Sequence, residues 1–216
     1  MGRMTDDRKP DVTAAYALRT PEDSVRLYRD WAGTYEDGFA AEQDYVYPQR
    51  LAEFYAAEAD PGEPVLDVGA GTGLVGRALR TLGVETVDGL DISPDMLEVA
   101  RARGGYRALI EADVTRPLSI ADGAYGGLVS AGTFTHGHVG PDPLPELLRT
   151  VAEGARITLG VNAAHFEAEG FAAAFDRLAA ERLITPVRYV EIPVYGPRAT
   201  HAHKHDTALI VAAERR

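Results

Sequence analysis

Apolar residues follow a helical spacing in the first part of the chain and then a strand–helix alternation. Between residues 21 and 60 they recur at helical spacing, first around Tyr28 and Trp31 and then over residues 48–57. From residue 64 onward, short apolar runs alternate with amphipathic stretches. This alternation predicts strands and helices in turn.

The repeated units indicate a sheet with helices on both faces. The predicted strands are residues 65–68, 86–92, 106–111, 128–131, 156–161, 187–194 and 207–212. The predicted helices between them are residues 73–82, 94–103, 144–151 and 170–183. Strands joined by helices run parallel, whereas the last two strands have no helix between them and can pair antiparallel. We therefore expect an α/β fold: a Rossmann-like doubly wound sheet, mostly parallel with an antiparallel C-terminal edge strand, preceded by N-terminal helices.

Composition narrows the classes of protein. A chain of 216 residues with a formal net charge of −11 suits one domain and repels a phosphate backbone, so we expect no nucleic-acid partner. The absence of cysteine excludes disulfides and cysteine nucleophiles. The polar start does not resemble a secretory signal, and no apolar run approaches the roughly 20 residues of a membrane helix. We expect a cytoplasmic protein without a membrane partner, and the oligomeric state stays open.

The segment VLDVGAGTGLVG contains two overlapping glycine patterns. Gly71-x-Gly73-x-x-Gly76 matches the dinucleotide fingerprint, whereas Asp67-x-Gly69-x-Gly71-x-Gly73 is a different motif. In a dinucleotide-binding fold the first glycine directly follows the strand. Here the predicted strand runs into Gly69, which favours the second motif over an NAD site.

Three segments in this order resemble the class I S-adenosylmethionine-dependent methyltransferases: LDVGAGTG, VDGLDISPDML and IEADVTRPL. The resemblance implies that Asp91 accepts hydrogen bonds from the ribose hydroxyls, that Asp113 binds the adenine amino group, and that the Val114 backbone contacts the ring. More narrowly, DGLDISPDML and SAGTFTHGHVGPDPLPELLRTV are similar to the small methyltransferase-like group named after the Williams–Beuren syndrome region. The implied S-adenosylmethionine site consists of Asp67, Gly69, Gly71, Gly73, Asp91, Ile92, Met96, Asp113, Val114, Ser130, Tyr35 and Trp31.

The segment YRDWAGTYEDGF places Tyr28, Trp31 and Tyr35 on one helix face. Such a stripe is either core packing or, as in similar methyltransferases, a lid over the methionine half of the cofactor, where aromatic rings favour a sulfonium cation. We assign residues 1–60 to an N-terminal helical lid segment and residues 61–216 to the S-adenosylmethionine-binding domain, in one compact unit overall.

Two histidine-containing segments carry candidate chemistry. TFTHGHVG follows the fourth strand, at the edge where open sheets bind ligands, and His136 is the candidate base unless it only shapes the pocket. The candidate substrate-binding residues are Tyr28, Thr133, Phe134 and His138.

THAHKHD alternates His201, His203 and His205 at strand spacing, which predicts one shared face. That face would be either a metal site or, as we expect, a solvated surface without metal. Alternatively, His205 borders the substrate entrance.

These features predict an enzyme that transfers a methyl group to an O, N or S atom of a small molecule. The Asn-Pro-Pro-Tyr type of motif, used on nucleic-acid amino groups, is replaced by SAGTF. A non-catalytic S-adenosylmethionine-binding regulator and an NAD-dependent oxidoreductase remain as alternatives.

Overall fold

A computed structural model describes residues 43–135 and 139–216 of the chain. Strands and helices alternate along it as the apolar pattern predicts. In chain order the elements are α1 (Tyr47–Ala56), β1 (Val65–Val68), α2 (Leu74–Thr81), β2 (Val87–Asp91), α3 (Pro94–Arg103), β3 (Ala108–Glu111), β4 (Tyr125–Phe134), α4 (Leu144–Arg149), β5 (Val151–Asn162), α5 (Ala163–Ala168), α6 (Phe171–Ala180), β6 (Arg188–Pro193) and β7 (Thr207–Glu214).

The seven strands form one sheet in the order β3-β2-β1-β4-β5-β7-β6. Strands β1 to β5 are parallel to one another, whereas β7 runs antiparallel to both neighbours, β5 and the edge strand β6. The predicted fold class is confirmed, with the C-terminal strand β7 as the antiparallel member. The direction of winding reverses between β1 and β4, and ligands of open α/β sheets bind at the carboxyl ends of such strands.

Apolar side chains fill a core on each side of the sheet. All four residues of β1 are buried, as expected for a parallel strand covered on both faces. Phe171, Phe175 and Leu178 of α6 point into one core. Helix α1 contributes Leu51 and Tyr55 to the other core, together with β1 and α2. The assignment of residues 1–60 to a lid stays a prediction.

Two helices begin directly after residues whose side chains cap their N-termini. The Ser93 side chain accepts a hydrogen bond from the backbone N–H of Met96, and Pro94 occupies the first position of α3, where the missing N–H costs no hydrogen bond. Helix α5 is an additional element, and its start is capped by Asn162, which accepts hydrogen bonds from Ala164 and His165. Within the described ranges, no helix has the length and apolar character needed to cross a lipid bilayer.

Candidate functional site

The glycine loop begins directly after β1. Strand β1 ends at Val68, so Gly69 follows it at once, and the predicted register is confirmed. Gly69 and Gly71 have φ values of 72° and 53°, in the left-handed region that glycine adopts without strain. A Cβ at Gly69 would overlap the Thr133 side chain, whereas a Cβ at Gly71 would meet no atom within 4 Å. The loop is therefore packed against β4 on one side and open beside Gly71.

Asp91 ends β2 and contacts this loop. Its Oδ2 accepts a hydrogen bond of 2.8 Å from the Gly71 N–H, and its Oδ1 accepts one of 2.8 Å from the Ser93 N–H. Burial raises the pKa of Asp91, and the N–H groups of Ser93, Gly71 and Ile92 act in the opposite direction. The hydrogen bonds from Gly71 and Ser93 use only part of the acceptor capacity of the carboxylate, which leaves room for a ligand hydroxyl. These acceptor atoms suit the ribose hydroxyls of an adenosine cofactor.

Asp67 is a buried carboxylate under the same loop. Its Oδ2 accepts a hydrogen bond of 2.6 Å from the Tyr106 hydroxyl, while Oδ1 is buried without a hydrogen-bond partner in the part of the chain that the structure describes. The pKa of Asp67 is raised to about 7: burial is the main cause, the negative charge of Asp91 acts in the same direction, and the Tyr106 hydrogen bond opposes both. A buried acceptor without a partner is costly, which is consistent with a ligand group that satisfies it.

Tyr106 belongs to this site although sequence reasoning did not identify it. Its hydroxyl also accepts a hydrogen bond of 3.2 Å from the Gly76 N–H, in the first turn of α2. A Cβ at Gly76 would overlap the Tyr106 ring, and a Cβ at Gly73 would lie 3.1 Å from it. Gly76, which completes the dinucleotide pattern, is therefore required for packing against Tyr106. An otherwise unexplained glycine inside a helix is the one sequence signal of this contact.

Asp113 follows β3 and caps a turn. Its Oδ1 accepts hydrogen bonds from the Thr115 N–H and hydroxyl at 2.8 and 2.7 Å. Both bonds end on Oδ1, so Oδ2 has an open acceptor site within the described residues. The half-buried Asp113 therefore combines the turn-capping role with a free oxygen at the same sheet edge as Asp91.

Three apolar residues predicted for the cofactor site follow β2 and β3 along the chain. Met96 and Val114 are buried in the core, and Ile92 is half-buried at the end of β2. Their burial leaves the backbone and the edges of the side chains as the parts that a ligand can contact.

The end of β4 is tied to the end of β1. Ser130 and Thr133 both donate hydroxyl hydrogen bonds to the Val68 carbonyl, at 2.7 and 2.9 Å. Thr133 is half-buried, whereas Ser130 and Phe134 are fully buried, and Phe134 packs edge-on against Phe171. The burial of Phe134 favours core packing over contact with a substrate.

Aromatic residues from two segments cover the neighbouring ends of β4 and β5. Tyr45 packs against Tyr47 and Tyr195, with ring centroids 6.2 and 5.8 Å apart. A Cβ at Gly132 would lie 3.5 Å from the Tyr45 hydroxyl, and a Cβ at Gly160 would overlap the Tyr47 hydroxyl. These tyrosines therefore contact both strands directly.

The C-terminal histidines lie in a turn, so the shared face predicted from their spacing is wrong. Residues 201–205 form a turn closed by hydrogen bonds from the Lys204 N–H to the His201 carbonyl and from the Asp206 N–H to the His203 carbonyl. The His201 ring packs edge-on against Tyr195 at 4.3 Å, and His203 Nδ1 lies 3.4 Å from Asp206. Across residues 43–135 and 139–216, no group of three metal-ligating side chains is placed to hold an ion.

Five predicted site residues lie outside the described ranges. They are Tyr28, Trp31, Tyr35, His136 and His138.

Solved methyltransferase structures have the same fold. One chain of the complex between the Haloferax volcanii Trm112 methyltransferase activator and a methyltransferase aligns with a TM-score of 0.64. The identity is 18%, and the alignment covers 88% of this chain and 98% of that chain. Magnesium protoporphyrin IX methyltransferase from Synechocystis PCC 6803, solved with bound SAH, aligns with a TM-score of 0.60 and 17% identity over 88% and 94% of the two chains.

The names of sequence relatives cover different methyl acceptors. A demethylmenaquinone methyltransferase from Beutenbergia cavernae is 32% identical over 65% of this chain and 58% of its own length. A ribosomal protein L11 methyltransferase from Cupriavidus taiwanensis is 38% identical over 30% of this chain and 22% of its own length. The acceptor is therefore not specified by these relatives.

The relatives agree on the methyltransferase domain. The methyltransferase domain family model matches residues 65–156, which include the glycine loop, Asp91 and Asp113. Human methyltransferase-like protein 27 is 33% identical over 174 residues, covering 77% of this chain and 70% of the human protein. The chain therefore belongs to the class I S-adenosylmethionine-dependent methyltransferases, enzymes of class EC 2.1.1 whose methyl donor is S-adenosylmethionine.

Proposed function

We propose that this enzyme methylates an O, N or S atom of a small molecule. The observation that carries the proposal is the aromatic cover over the ends of β4 and β5, where Tyr45, Tyr47 and Tyr195 pack together. When aromatic side chains cover the carboxyl ends of the strands in this way, the site favours a compact acceptor over the flat surface of a macromolecule.

Charge supports the same acceptor class. The formal net charge of −11 disfavours a phosphate backbone as the partner. We also propose that the protein belongs to the Williams–Beuren group. We further propose a cytoplasmic location without a membrane partner, and cell fractionation tests this location.

We propose that the cofactor lies along the carboxyl ends of β1, β2 and β3. Asp91 would accept hydrogen bonds from both ribose hydroxyls, because the N–H groups of Gly71 and Ser93 use only part of the acceptor capacity of its carboxylate. Asp113 Oδ2 would accept a hydrogen bond from the adenine amino group, since the turn occupies only Oδ1. The open side of Gly71 supports close approach of the cofactor to the backbone.

The cofactor, when bound, supplies an electrophilic methyl group on a positively charged sulfur. The protein then has to orient the acceptor, exclude water and remove a proton where the acceptor is a hydroxyl. We assign proton removal to His136 and acceptor contacts to Thr133, Tyr28 and His138. A thiolate or a free amine would need no base. Trp31 and Tyr35 would form the lid over the site.

Labelled S-adenosylmethionine tests the acceptor class directly. The purified enzyme is incubated with the methyl-labelled donor and a cell extract, and the products are separated by ultrafiltration. We expect label in the small-molecule filtrate with the wild-type enzyme and none with Asp91→Ala. Label confined to retained protein or RNA would contradict the small-molecule acceptor.

A further inference from the structure

The hydroxyl of Tyr106 joins two parts of the candidate cofactor site. It donates a hydrogen bond of 2.6 Å to Asp67 on β1 and accepts one of 3.2 Å from Gly76 in the first turn of α2. The glycine loop lies between these two attachment points. A phenol can donate once and accept as well, so one group holds both ends of the loop.

We propose that Tyr106 is a positioning residue for S-adenosylmethionine, because its hydroxyl holds the Asp67 carboxylate and the start of α2 in the arrangement that binds the cofactor. The inference rests on the proposed role of Asp67 and the glycine loop in cofactor binding. Tyr106 would act through these groups and not on the reacting atoms.

Few charged groups face Asp67 in the described part of the chain. Asp91 approaches from β2, and its negative charge opposes ionisation of Asp67. On α2, the Arg77 guanidinium donates to the Thr72 carbonyl. On β4, the residue paired with Asp67 is the apolar Val129. Among the described residues, the Tyr106 hydroxyl is therefore the hydrogen-bond donor that favours the charged form of Asp67.

This geometry has a consequence for the pH dependence of cofactor affinity. The Tyr106 hydrogen bond lowers the pKa of Asp67, whose value is about 7, so removing the hydroxyl raises that pKa. An ionised Asp67 favours the positively charged cofactor. Affinity should thus fall as pH decreases through the titration of Asp67, and this fall should begin at higher pH without the hydroxyl.

The test is titration calorimetry of S-adenosylmethionine binding between about pH 6 and pH 9, where a group with a pKa near 7 titrates. We expect Tyr106→Phe to move the midpoint of the affinity profile upward by about one pH unit, as a hydrogen bond to a charged group implies. Tyr125→Phe is the matched control. Tyr125 also donates its hydroxyl to a buried carboxylate, at 3.0 Å, but to Asp88 at the opposite end of β2. Its profile should overlay that of the wild type.

A second variant keeps the inference testable if Tyr106→Phe does not fold. Asp67→Asn retains an acceptor for the Tyr106 hydroxyl, and we expect it to remove the pH dependence over this range. A Tyr106→Phe profile without a shift of its midpoint, even at uniformly lower affinity, would overturn the positioning role. Retained pH dependence in Asp67→Asn would overturn it too. The labelled-extract experiment uses neither of these variants, so either result leaves the proposed methyl acceptor untouched.

Discussion

Replacing Asp91 by alanine removes the proposed acceptor for both ribose hydroxyls. A hydrogen bond to a charged group contributes about 1.5–3 kcal/mol, so two such bonds correspond to about 3–6 kcal/mol of binding free energy. Since 1.4 kcal/mol corresponds to a tenfold change, we expect S-adenosylmethionine affinity to fall roughly 100-fold or more. The carboxylate also accepts hydrogen bonds from the N–H groups of Gly71 and Ser93. Its removal therefore loosens the glycine loop as well, which lowers the cofactor affinity further.

Calorimetric titration with S-adenosylmethionine measures this loss directly. Glu98→Ala is the matched control, because Glu98 is an exposed acid on the following helix α3 and its replacement changes the net charge by the same amount. Thermal unfolding confirms that both variants are folded. An Asp91→Ala affinity within about threefold of the control, less than 1 kcal/mol, would refute the ribose assignment.

Three further predictions concern the loop and the candidate base. Gly76→Ala should destabilise the protein by about 1–3 kcal/mol in chemical denaturation, because its Cβ overlaps the Tyr106 ring, whereas alanine in an open helix position stabilises; the loss should disappear in a Tyr106→Ala background, and an equal loss there would contradict the packing explanation. The pKa of Asp67 is raised from 3.8 to about 7, so the folded protein holds a proton that the unfolded chain releases, and its stability contribution decreases as pH rises through this window. In urea unfolding, the free energy of unfolding of Asp67→Asn should therefore rise above that of the wild type by up to about 4 kcal/mol as pH increases from about 4 to 7. A difference between the two free energies that stays constant over this range would refute the raised pKa. His136→Ala should lower turnover about 100-fold or more and leave the calorimetric cofactor affinity unchanged, if the acceptor needs a base; full turnover from pH 6 to 9 would exclude that role.

The first half of the sheet and the register of the loop were predictable from local patterns. Short apolar runs bounded by glycine and proline determine β1 and β2, and the capping residue Ser93 marks the start of α3. The loop register followed from the position of Gly69 directly after β1. Each of these features depends on neighbours within a few residues, which is why sequence reasoning succeeded there.

Features that depend on distant contacts were not predictable. Tyr106 looks like the first residue of a strand, yet its hydroxyl bonds to Asp67, on a different part of the chain. The predicted shared face of the histidines was wrong for a related reason. Their alternation has the spacing of a strand, but the carbonyls of His201 and His203 accept turn hydrogen bonds, which the spacing does not reveal. β5 begins earlier than predicted because Val151 pairs with Tyr125 of β4, and a register shift separates this pair from the regular pairing that begins at Arg156.

The Val68 carbonyl, which accepts hydroxyl hydrogen bonds from both Ser130 and Thr133, introduces redundancy at the junction of β1 and β4. Either hydroxyl alone satisfies this buried carbonyl, so the loss of one does not leave it without a partner. Ser130 is inaccessible, whereas Thr133 is half-buried at the end of β4. Thr133 is a proposed acceptor contact, so a smaller residue there would alter the proposed acceptor side of the site while Ser130 still satisfies the Val68 carbonyl, which makes position 133 a starting point for engineering acceptor preference.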